Sequence, residues 1–175
     1  TINQNYGSTM IYVTHDQNEA MTFAQKIIVM NHGEVVQVGT PQELFDRPQT
    51  TFVGYFIGAP AMNIFECALG EDNSIRLENF KLNTSTSIPQ SETSKLKLGI
   101  RSEYIKIIDQ NAENTILAQP NEVQDFGNYK LLTATFGENI IKVKYDRKMG
   151  INSEQVLLQL PSERCNIYEN DRLIQ

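Results

Sequence analysis

Cysteine is scarce in this chain of 175 residues: Cys67 and Cys165 stand far apart, without C-x-x-C spacing. That argues against a cysteine metal site or a disulfide framework, and it fits a reducing cytoplasm in which both thiols are small core groups. No apolar run approaches the roughly 20 residues that a membrane-spanning helix requires. Basic residues are outnumbered, 15 Lys and Arg against 21 Asp and Glu, giving a formal net charge of -6 and a pI near 5.0. Nucleic-acid binding rests on neutralising phosphates with Lys and Arg, so no nucleic-acid partner is expected. The same balance leaves no polybasic patch for an anionic membrane. What is present is 40% hydrophobic content, enough for one substantial core or for a small unit beside a compact domain.

The densest chemistry lies between Met10 and Met30. Met10 to Val13 is an apolar, partly β-branched run that suits a buried strand of a parallel sheet. Thr14 and His15 then fall at its carboxyl end, where open α/β sheets bind ligands. Asp16 can cap a following helix, and Glu19 stands at the capping-box spacing. That helix carries Ala20, Met21, Phe23 and Ala24 on its apolar side, and a second strand begins at Lys26. A lone histidine in this position is otherwise a surface or capping group.

Beyond Met30, Asn31-His32-Gly33-Glu34 separates two β-rich runs and predicts a hairpin with Gly33 at positive φ. A turn tip is solvated, so His32 is not read as a ligand. Thr40-Pro41-Gln42-Glu43 has threonine as cap, proline at the first helical position and glutamate at the third. A short helix from about Thr51 to Ile57 presents Phe52, Val53, Phe56 and Ile57 inward, and Gly58 and Pro60 stop it. Thr1 to Thr9 reads as a frayed helix end with a turn at Gly7. After Pro60 the pattern changes to short β-rich runs, IFECAL, KLKLGI, YIKII, KLLTATF, IIKVKY and VLLQL, split by turn clusters. Such spacing predicts a small sandwich or barrel. Asn83 to Ser94 is a Ser/Thr-rich loop.

The strings IYVTHDQNEAM, KIIVMNHGEVVQVGTPQELFDRP and FVGYFIGAPAMN, with LGIRSEY and LPSERCNIY in weaker form, resemble the C-terminal portion of the ATP-binding subunit of ABC importers. The resemblance is to the carbohydrate-importing group that includes the maltose-importer ATPase. It implies that His15 is the switch-loop histidine, which contacts the γ-phosphate of ATP. An imidazole there orients the attacking water or the terminal phosphate, and phosphoryl transfer depends mostly on such positioning and charge stabilisation.

The sequence has no G-x-x-x-x-G-K-[ST] loop to cradle phosphates, no strand ending in paired carboxylates for magnesium, and no glycine-rich signature loop. The expectation is a C-terminal piece of a longer ATP hydrolase, a parent that uses ATP and Mg. The piece alone binds no cofactor and does not turn ATP over. By the same resemblance the partners are a second copy of the subunit, two membrane-spanning permease subunits and an extracytoplasmic solute-binding protein. The parent then sits peripherally at the cytoplasmic face of the membrane.

The fold class implied is α+β overall. Residues 1–60 form an α/β remnant of the ABC nucleotide-binding domain, and residues 61–175 a mostly-β regulatory domain on an OB-type barrel, in one lobe or two. Gly99-Ile100-Arg101 followed by Glu103 matches the family's G-I-R-P-E pattern except that Ser102 replaces the proline, and Tyr104 stands where histidine or aspartate is common. Arg101, Glu103, Glu163 and Arg164 are candidates for a regulatory contact, or for a solvated or lobe-joining ion pair. A second reading makes the chain a non-catalytic module whose barrel recognises an oxyanion, a sugar or a signalling protein. For the parent, sugars are the expected solute, with glycerol phosphate, polyamines and iron as alternatives.

Overall fold

Three short helices and a hairpin precede two packed antiparallel sheets in the computed structural model, which describes residues 9–78, 80–83, 88, 95–151 and 154–174. The predicted helix end before Thr9, and nearly all of the Ser/Thr-rich loop over 83–94, lie outside the described residues. Helix α1 (Gln17–Phe23) starts where Asp16 accepts from the amides of Asn18 and Glu19. Strands β1 (Ile27–Asn31) and β2 (Glu34–Gly39) pair through a turn in which both His32 and Gly33 take positive φ. Helix α2 (Pro41–Asp46) opens with the full capping box between Thr40 and Glu43, and α3 (Thr51–Phe56) is capped by Thr50. Val29, Leu44, Val53 and Ile57 form a small buried cluster from these elements.

Two expectations fail here. Met10 to Val13 is not a buried strand: it has no strand assignment, and Ile11 and Val13 are 88% and 91% exposed. A β-branched run becomes a strand only when a neighbour takes up its backbone groups, and among the described residues none does so. Phe23 and Phe56, expected to face inward, are likewise exposed. Phe56 instead stacks on Phe52, and Phe23 meets Tyr12 edge to face.

The β region carries most of the mass, so the described residues are mostly β, with 45% strand against 14% helix and a curled sheet forming a half-barrel. One sheet runs in the order β13 (Arg172–Leu173), β12 (Cys165–Glu169), β6 (Leu96–Ile100), β3 (Asn63–Leu69), β4 (Ile75–Leu77), β5 (Phe80–Leu82). The other runs β10 (Asn139–Tyr145), β9 (Lys130–Phe136), β8 (Thr115–Asp125), β11 (Val156–Gln159), β7 (Lys106–Ile108). A single apolar core lies between them, including Phe65 of the first sheet against Phe136 of the second with ring centroids 5.3 Å apart.

The edge of the second sheet is closed by a side chain. Buried Asn63 donates to the Lys142 carbonyl at 2.9 Å and accepts from the Lys142 amide at 2.8 Å, so its amide imitates a neighbouring strand for β10. Both cysteines are free thiols, Cys165 buried and Cys67 half-buried, as expected of core residues.

Candidate functional site

His15 occupies an exposed bend just ahead of α1. The turn is built locally. Thr14 Oγ1 accepts from the Asp16 amide at 2.9 Å, and Glu19 accepts from the hydroxyls of Thr14 at 3.1 Å and Tyr12 at 3.3 Å. Glu19 therefore reaches past the cap residue to the segment before it, rather than back to Asp16. A hydrogen bond links this unit to the rest of the molecule: Gln17 Oε1 accepts from the Gly58 amide at 2.7 Å.

The other candidates gather where the helices meet the sheets. Arg101 follows β6 and is 1% exposed. Its Nε donates to the Phe45 carbonyl at 2.9 Å, and its Nη1 donates to the carbonyls of Gly54, at 2.8 Å, and Ile57. The guanidinium also lies 4.3 Å from the Phe45 ring centroid. A cation thus sits on the carbonyl-rich ends of α2 and α3, where the aligned peptide dipoles favour positive charge. Burial lowers the Arg101 pKa from its ordinary value. Nη2 has no hydrogen-bond partner among the described residues. Arg101 thus joins the two parts through carbonyls rather than through an ion pair.

Beside this anchor lies a cleft of about 350 Å³ lined by Asp46, Arg47, Tyr104, Cys165, Asn166 and the 3-10 turn Ser162–Arg164. Tyr104 donates its hydroxyl proton to Asp46 and is covered by the Arg164 guanidinium 4.6 Å from its ring centroid. Burial, and then the hydrogen bond to Asp46, raise the Tyr104 pKa. Glu103 accepts from Ser102 Oγ at 2.9 Å and pairs with Lys144 at 3.4 Å. Glu163 is exposed at the cleft rim. At the cleft floor Cys165 donates to the Pro161 carbonyl, and burial pushes its thiol up to about 12, so it is no thiolate at neutral pH.

Glu163 and Arg164 line both this cleft and an adjoining one of about 270 Å³ that Glu103 also lines; Arg101 is buried and lines neither, and His15 lies apart in its own turn. Asp46 and Gln17 were not singled out in the sequence. Asp46 is 58 positions from Tyr104, and no local pattern signals such a pair. Among the described residues no group of three or more His, Cys, Asp or Glu is placed to hold a metal ion.

Comparison with known proteins yields no matching family model. The chain is similar to sn-glycerol-3-phosphate import ATP-binding proteins. That of Rhizobium johnstonii is 33% identical over 163 residues, covering 86% of this chain and 43% of that protein. That of Escherichia coli is 32% identical over 171 residues, 94% of this chain and 47% of that protein. That of Psychromonas ingrahamii is 43% identical over 109 residues. The chain spans less than half the length of these relatives, and it matches their C-terminal part.

Proposed function

We propose, from this homology to the C-terminal part of ABC-importer ATP-binding proteins, that the chain is that part of such a subunit, whose parent energises solute uptake by hydrolysing ATP. The carrying observation is continuity. The similarity extends over 94% of the chain, so it takes in both the helical part and the β region. The solute we assign to the parent is sn-glycerol 3-phosphate or a close polyol phosphate, after the names of the relatives.

Within that reading residues 1–60 complete a nucleotide-binding domain, and residues 61–175 form the regulatory domain. The separate clusters around Leu44 and around Leu98 support the division. His15 is the group this part presents to the terminal phosphate of ATP, and its exposure leaves the ring free to do so. The described residues do not fit an ATP–Mg site by themselves: they offer two exposed imidazoles in separate turns, His15 and His32, no phosphate cradle and no carboxylate cluster. The homodimer, the permease subunits, the solute-binding protein and a peripheral position at the cytoplasmic face of the membrane belong to the same proposal. No helix among the described residues is long and apolar enough to cross a membrane.

The reading is checked in the full-length subunit with its permease. His15→Ala is expected to reduce transport-coupled ATP hydrolysis by on the order of a hundredfold or more, the scale of losing one transition-state contact. The present chain alone is expected to show no turnover. Unchanged hydrolysis in the variant would sink the assignment of His15 and favour a module whose work is done in the barrel.

A further inference from the structure

Helix α1 buries none of its residues, and Met21 is the side chain it packs against the small cluster, so the His15 turn is attached to the molecule by few contacts. One of them is specific, the Gly58 amide donating to Gln17 Oε1 at 2.7 Å. Gly58 has φ +101, and a Cβ there would come within 3.0 Å of Arg101 Nη1 and 3.1 Å of the Phe45 ring. The same Nη1 holds the carbonyl of Ile57, the residue before Gly58. A continuous bonded route therefore runs from the turn carrying His15, through Gln17 and the 57–58 peptide, to the buried guanidinium that follows β6.

We propose that Gln17 is a positioning residue that ties the orientation of the His15 turn to the seating of Arg101. Through it, any ligand or partner of the barrel that shifts Arg101 also shifts the imidazole. Coupling of this kind is reciprocal, so a change at either end is read at the other. The route is physical rather than inferred from distance, because each link is a hydrogen bond or a direct contact. Its meaning for hydrolysis rests on the proposed reading of His15; its existence does not.

NMR of the present chain without nucleotide tests it. Gln17→Leu removes the acceptor, and Gly58 amide exchange is expected to quicken by on the order of tenfold, with the His15 ring resonances displaced. Gln17→Glu keeps an oxygen at the same reach and is expected to stay within about threefold of the parent. From the other end, Arg101→Lys is expected to move the His15 ring and Gln17 side-chain resonances. Should that variant lose its fold, Phe45→Leu withdraws the aromatic face from the same guanidinium. Unchanged Gly58 exchange in Gln17→Leu overturns the proposal. So do His15 resonances unmoved by the change at Arg101 or Phe45. If the resonances respond while His15→Ala leaves hydrolysis intact, the coupling stands and the reading of His15 fails.

Discussion

Cys165 shows how one buried group makes stability depend on pH. Burial raises its thiol from an ordinary value of 9.0 to about 12. In the folded chain the proton is held longer than in the unfolded chain, so the contribution is fully present below pH 9 and is lost as pH rises toward about 12. Tyr104 and Tyr168 are raised for the same first reason and add to the same alkaline loss. Urea denaturation across pH 8 to 11 is expected to show stability falling above about pH 9, with a shallower fall in Cys165→Ala. Equal slopes in the two proteins would rule out this thiol as a source. The sequence marks Cys165 as a core residue because it is isolated; that it floors the cleft beside Tyr104 follows only from the meeting of β12 with α2.

Elements here are set by local chemistry, and their neighbours by distant contacts. The Thr40–Glu43 capping box, Pro41 and the His32-Gly33 turn are readable because each is a short-range arrangement of side chain and backbone. Strand β8 is not readable in this way. Its eleven residues include Pro120 and the polar Gln119, Asn121, Glu122 and Gln124, and its pairing is shared, β11 taking its first half and β9 its second. Met10 to Val13 errs in the opposite direction, with strand-like residues and no strand beside them among the described residues. Between the sheets, Asn63 supplies β10 with the partner that an edge strand lacks. Asn63→Leu leaves the Lys142 amide and carbonyl unsatisfied and is expected to cost about 1–3 kcal/mol, seen as a lower urea midpoint with an unchanged slope. A midpoint equal to that of the parent would show that water replaces the amide without loss.

Across the whole molecule, the helices are fastened to the β region by their carbonyls. Arg101 takes those of Phe45, Gly54 and Ile57, Asn166 takes Asp46, Tyr168 takes Pro48, and the Leu173 amide takes Gln49. Such a clasp makes the 44–58 segment open with the sheets rather than with the exposed turn before it. Native-state hydrogen exchange is expected to show slow amides at Arg47, Gly54 and Ile57 together with those of β6, and fast exchange at residues 10–15. Fast exchange over 44–58 with slow β6 would place the cooperative boundary at residue 60 instead. The sequence by itself determined the Asp16 and Thr40 caps, the His32-Gly33 turn, most strands and the likeness to an importer ATPase, since each is written in residues close along the chain. Tertiary structure alone decided that the buried arginine reads carbonyls, that Tyr104 finds Asp46, and that Met10 to Val13 lies open, because each depends on which backbone groups distant segments bring within bonding distance.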